Sequence, residues 1–148
     1  MPTATLQEIL LAPDTHPKVM ADCQAMIKRE VSDMSGLSGT AVKLAYKTVT
    51  TFAPDHVTYM VEQLLPGMVD KLEPFWADFN AADEPEFGGY LAARGDEVSE
   101  ALLTVTDERA KNSDRPTIIR AYNTVRGGAA KHVQAALPQV GEMVLRYA

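Results

Sequence analysis

With one cysteine in 148 residues, Cys23, the chain cannot hold an internal disulfide. Cys23 falls on an apolar helical stripe and reads as a small core hydrophobe, and a reducing cytoplasm is the expected setting. No run approaches the roughly 18 consecutive apolar residues of a membrane span. The opening residues MPTATLQEILLAPD contain neither a basic n-region nor an apolar h-region, so neither a signal peptide nor an anchor is expected there. His-x-x-x-His, Glu-x-x-His and Cys-x-x-Cys spacings are all missing, which removes the usual helix-borne zinc and di-iron ligand sets. No metal and no cofactor is expected. No stretch alternates apolar and polar residues as a half-buried strand does.

Cations are also in deficit. The net charge of −6 argues against generic affinity for nucleic acid or anionic lipid. The charge is unevenly spread. Residues 70–108 hold 11 acidic and 2 basic side chains, whereas residues 109–131 hold 6 basic and 1 acidic. Blocks of opposite sign either neutralise each other across two helices or steer a partner.

A repeat is the most conspicuous feature present. VKLAYKTVTTFAPDHV, residues 42–57, returns 76 positions later as IIRAYNTVRGGAAKHV. Over residues 40–57 against 116–133, without a gap, Ala45, Tyr46, Thr48, Val49, Ala53, His56 and Val57 are matched by Ala121, Tyr122, Thr124, Val125, Ala129, His132 and Val133. The rest of the chain reads as organised around these stretches.

In chain order, Leu6, Ile9 and Leu10 mark a short helix near residues 5–11, ended by Pro13. Asp14 or Thr15 caps a second helix to about Asp33, with Pro17 in its first turn. SGLSGT breaks it. A third helix, about residues 40–52, buries Val42, Tyr46 and Val49, and a fourth begins at Pro54. Pro66 and Pro74 should kink or split that fourth element. Acidic AADEPEFGG, about residues 81–88, is the one linker. After it, residues 90–93 answer residues 9–12, Asp96 caps a helix carrying Val98, Leu102 and Val105, and Pro116 opens the second motif helix with Ile118, Tyr122 and Val125. Gly127 and Gly128 then separate it from a final helix with Leu137–Pro138.

The expected fold is all-α: one domain over residues 1–148, a bundle of about seven to nine helices. It is built from two similar halves, about residues 1–80 and 86–148, related by a pseudo-two-fold axis, with the motif helices and the proline-broken helices at its centre.

YKTVTTFAPDHV, LLPGMVDKLEPFW, YLAARGDEVSEALLTVTDERA and AYNTVRGGAAKHVQAALP together resemble a family of small uncharacterised bacterial proteins, typical of actinomycetes, classed as a domain of unknown function. The resemblance covers nearly the whole chain. It implies a free-standing cytoplasmic protein and carries no activity, ligand or catalytic residue.

Several motifs fall short of a known chemistry. Gly36-Leu37-Ser38-Gly39-Thr40 misses the G-x-S-x-G elbow by one place and has no strand before it. Arg126-Gly127-Gly128 with Lys131 suggests a phosphate cradle but lacks its G-K-[S/T] ending. Arg94-Gly95-Asp96 spells an adhesion tripeptide but reads better as a turn and helix cap. Asp107-Glu108-Arg109 reads as a solvated helix end.

Tyr46, His56, Tyr122 and His132 are the candidate ligand-binding residues. If the halves obey a two-fold axis, these four present paired polar groups to a central pocket. The competing role is packing, with each tyrosine hydroxyl satisfied by a neighbour.

The leading functional reading is a non-enzymatic helical module acting through protein contacts, with a protein partner or with itself. A second is a carrier of a small apolar or amphipathic ligand between the halves, motivated by Met60, Met68, Phe75, Trp76 and Phe79. A third is an enzyme using the Tyr/His set. Membrane and nucleic acid are not expected partners.

Overall fold

Thr5 opens the fold as a helix cap, its hydroxyl oxygen accepting the Glu8 N–H at 3.1 Å. The computed structural model describes residues 4–148, apart from the side chains of Ser38, Ile118 and Val125. Among the described residues seven helices follow one another: α1 (Leu6–Leu10), α2 (His16–Asp33), α3 (Gly36–Phe52), α4 (His56–Ala81), α5 (Phe87–Ala93), α6 (Gly95–Lys111) and α7 (Pro116–Tyr147). No strand occurs among the described residues. The all-α expectation is met.

Polar bonds fix the short first helix to its neighbours. The Gln7 N–H donates to the Glu73 carboxylate at 2.9 Å, and the Trp76 indole N–H donates to the Ala4 carbonyl at 2.8 Å. Both acceptor and donor side chains belong to α4. Thr15 stands at the N-cap position of α2, yet its hydroxyl donates back to the Ile9 and Ala12 carbonyls at 2.9 and 3.3 Å. It closes the α1–α2 turn instead of capping the helix.

Pro66 and Pro74 do not split α4, which runs unbroken through 26 residues. Each proline removes one backbone bond, but both lie on the exposed side, as do Glu62 and Asp70 four residues back. Water can reach the freed carbonyls there. On the opposite side Leu65, Val69, Leu72, Phe75, Trp76 and Phe79 form a buried stripe spanning both prolines and holding the helix together.

Other boundaries move for identifiable reasons. α3 begins at Gly36, so SGLSGT is mostly helical; Gly36 makes the turn with φ of +78°, open to glycine without steric cost. α4 begins at His56, two residues after Pro54. α6 begins at Gly95, and Asp96 lies in its first turn, accepting from the Gln134 side chain at 3.1 Å. The expected break at Gly127–Gly128 is absent, because α7 is one continuous helix. The α3–α4 break depends on Pro54, which forces Ala53 out of the helical region, at φ −143° and ψ 73°. Ala130 stands at the corresponding place 76 residues on, and two glycines alone cost only about 2 kcal/mol of helix propensity.

The core lies away from the repeated motif, contrary to expectation. Buried apolar side chains come from α1, the first half of α2, the second half of α4, α5, α6 and the last third of α7. α3 contributes none, and no described side chain between residues 116 and 136 is buried. Phe87, fully buried, is the aromatic hub, with ring centroids 4.9 Å from Phe79 and 5.0 Å from Trp76.

The tightest contact is between backbones. A Cβ on Gly141 would lie 2.0 Å from the Gly88 nitrogen, and one on Gly88 would lie 2.6 Å from the Pro138 carbonyl oxygen. α5 and α7 therefore touch main chain to main chain. Gly141→Ala is expected to destabilise the protein by more than about 3 kcal/mol or to prevent folding. Gly127→Ala, with open space around it in mid-helix, is expected to stabilise by about 0.5–1 kcal/mol and raise Tm by roughly 3 °C. Thermal melts of the two variants check both; a Gly141→Ala protein melting like wild type contradicts the contact.

Candidate functional site

The four candidate residues have different surroundings. Tyr122, on α7, donates its hydroxyl proton to Asp107 of α6 in a short hydrogen bond and lies 2.8 Å from the Thr106 hydroxyl. Arg126, one turn on, grips the same carboxylate with Nε at 2.8 Å and Nη2 at 3.2 Å, and reaches Glu100 at 3.6 Å. Arg126 belongs to the basic block and its partners to the acidic one, so the two blocks meet and partly neutralise across α6 and α7. Arg126, then Tyr122, holds the Asp107 carboxyl below its ordinary value. Burial first, then Asp107, pushes the Tyr122 hydroxyl up. A phenol so placed stays protonated at neutral pH and is no general base; its hydroxyl is engaged by Asp107 and Thr106, joining α7 to α6.

Tyr46 lacks that strap. Thr50 occupies the position matching Arg126, and its hydroxyl folds back on the Tyr46 carbonyl at 3.0 Å. Tyr46 is half-buried. His56, in the first turn of α4, stacks on Tyr59 at 6.2 Å between ring centroids, and the Arg109 guanidinium lies 5.9 Å from the Tyr59 ring. Ala135 stands 76 residues beyond Tyr59, so no aromatic side chain answers it there. His132 is half-buried on α7.

The remaining motifs are absorbed by structure. Gly127 and Gly128 lie inside α7, so no helix start presents free N–H groups there. Gly36–Thr40 forms the first turns of α3, and the Ser38 side chain lies outside the described residues. Arg94 is an internal clamp, bonded to Asp78 at 3.2 Å, Glu97 at 2.8 Å and the Tyr90 hydroxyl at 2.7 Å, with its guanidinium 4.9 Å from the Phe75 ring. Cys23 lies buried with its sulfur 3.9 Å from that of Met143, and burial, helped by Asp22, pushes the thiol up to about 11. It is not a nucleophile at neutral pH.

An open groove of about 430 Å³ runs between α2 and the end of α7, lined by Asp22, Met26, Arg29, Gln139, Met143 and Arg146 among others. Asp22 is engaged there, accepting from Arg146 at 3.0 Å and from the Tyr147 hydroxyl. Among the described residues, no group of three or more His, Cys, Asp or Glu side chains could hold a metal ion.

The surface of α3 is the feature that sequence reasoning missed. Leu37 is 94% exposed, Leu44 67% and Phe52 84%. At i, i+7 and i+15 they share one side of the helix, roughly opposite Val42, Tyr46 and Val49. Ala41 and Thr48 fall between them, and the only charged residues of α3 are Lys43 and Lys47. The signal was legible: α3 carries apolar residues on both faces, and the body of the protein can cover only one.

The Asp107–Arg126 clamp generates a prediction. Asp107 has a lowered folded value, so its contribution is full above the ordinary Asp value of about 3.9 and is lost as pH falls through the lower folded value. Because the carboxylate is 41% exposed, a surface magnitude applies. A double-mutant cycle of Asp107→Asn and Arg126→Gln in urea should give a coupling of about 0.5–1 kcal/mol at pH 7, shrinking as pH falls below the ordinary Asp value of about 3.9. Additive single mutants at pH 7 contradict the clamp.

Among the described residues, no helix is long and apolar enough to cross a membrane. No curated protein and no solved structure matches the chain. A family model described as a family of unknown function (DUF6918) matches residues 6–148, and the chain belongs to that family.

Proposed function

We propose that this protein is a non-enzymatic helical module that works by docking another protein on the outward face of α3. The observation that carries the reading is the row Leu37, Leu44 and Phe52, exposed in one line on one helix. A helix apolar on two faces is stable in water only when both are covered, and contiguous exposed apolar surface of this kind marks an interaction site. The conspicuous polar groups elsewhere are engaged internally: Arg94 with Asp78 and Glu97, Arg126 with Asp107, Arg146 with Asp22. A cytoplasmic setting belongs to the same reading, supported by one buried, unpaired thiol.

A triple variant, Leu37→Ser, Leu44→Ser and Phe52→Ser, removes the row without touching the core. Immobilised wild-type and variant proteins are exposed to lysate of the native host, and bound proteins are quantified by mass spectrometry, with circular dichroism confirming equal helix content. A specific bound set reduced at least tenfold by the variant is expected. Equal recovery on both proteins overturns the proposal.

A further inference from the structure

We infer that the groove between α2 and the end of α7 is a binding site for a free α-amino acid with a large apolar side chain. The site is separate from the α3 face and its occupancy does not depend on docking there.

Three contacts set the direction of the two helices. Gln139 Nε2 donates to the Glu30 carboxylate, Cys23 Sγ lies 3.9 Å from Met143 Sδ, and Arg146 donates to Asp22 at 3.0 Å. Rising numbers on α2 meet falling numbers on α7, so the helices run antiparallel. Arg29 and Gln139 therefore mark one end of the groove and Asp22 and Arg146 the other, with Met26, Glu142 and Met143 between them. The helical rise from Asp22 to Arg29 makes the groove roughly 10 Å long. Its volume of about 430 Å³ is that of a small-ligand site.

The polar groups of the groove divide into engaged and free. Asp22 is engaged by Arg146 and by the Tyr147 hydroxyl. Arg29 and Glu142 are exposed on facing helices, and neither makes an ion pair among the described residues. Gln139 uses its amide nitrogen on Glu30, but its side-chain oxygen is buried and accepts no hydrogen bond. A buried acceptor without a donor is uncommon and costly, and calls for a partner.

Charge order selects the ligand. A simple anion is attracted by Arg29 and Arg146 but meets Glu142 between them. A simple cation is attracted by Glu142 but meets a guanidinium at either end. A zwitterion satisfies the whole set. Its carboxylate pairs with Arg29, and across the groove its ammonium lodges between Gln139 and Glu142, which stand three residues apart on one side of α7. The ammonium supplies the donor that the Gln139 oxygen lacks. The apolar side chain then lies along Met26 and Met143, whose flexible thioethers adapt to leucine, methionine or phenylalanine.

The test is calorimetric titration of the full-length protein with L-leucine, L-methionine and L-phenylalanine in turn. One-to-one binding of at least one of them is expected. Its N-acetyl derivative, which lacks the ammonium, and its amide, which lacks the carboxylate, should each bind about tenfold more weakly. Arg29→Gln, at an exposed position, should keep the helix content, lower affinity for the amino acid about tenfold and remove the preference for it over the amide. Glu142→Gln should likewise remove the preference over the N-acetyl derivative. No binding of any of the three, equal binding of either derivative to the wild-type protein, or wild-type affinity in either variant overturns the inference.

Discussion

The backbone contact between α5 and α7 is the constraint on which the rest of the fold depends. Gly88 and Gly141 let the two helices approach until main-chain atoms touch, and no residue with a Cβ fits at either place. That approach seats Phe87 at full burial between Phe79 and Trp76 and sets the last third of α7 against the core through Leu137 and Val144, both fully buried. α4 is then located by its own stripe, and α1 is tied to α4 through Glu73 and Trp76. Packing of this density transmits a misplacement of one helix to all the others. The core is thus assembled around a short seven-residue helix, while the longest sequence identity within the chain lies elsewhere.

The repeated stretches fold as helices in both places, but single substitutions give them different fates. Pro54 ends α3 and Ala130 lets α7 continue, so one copy becomes a separate helix and the other the first half of a helix of 32 residues. Arg126 binds α7 to α6 through Asp107, and Thr50 in the matching place can only bond its own helix. Leu44 stands where α7 has Arg120, and Phe52 where α7 has Gly128. The second copy is therefore strapped and cationic, whereas the first carries large apolar side chains on the face turned to water.

Much of the architecture was legible in the sequence. Periodicity located the helices within a few residues, because Leu6, Ile9 and Leu10, or Leu65 through Phe79, can be buried together only on a helix. The acidic linker was legible from its composition. Boundaries were harder where a proline competed with packing: Pro66 and Pro74 suggested a division of α4, but exposed prolines lose to a buried stripe that spans them. The location of the core was not legible, because internal identity does not report which face of a helix meets the body. The site was half legible. Tyr122 was singled out, but its partner Asp107 is a long-range neighbour that no local spacing reveals. Leu37, Leu44 and Phe52 were readable as a second apolar face.

Straps and row use side chains in opposite ways. A catalytic site needs polar groups held out of internal bonding and aimed at a reacting atom. Here the guanidinium of Arg94 is shared among Asp78, Glu97 and Tyr90, that of Arg126 is bound by Asp107, and that of Arg146 by Asp22. These polar groups are spent on joining helices. The α3 row is the reverse: large apolar side chains at 94%, 67% and 84% exposure. Burying such a row against a partner recovers roughly 25 cal/mol for each Å² of apolar area removed from water.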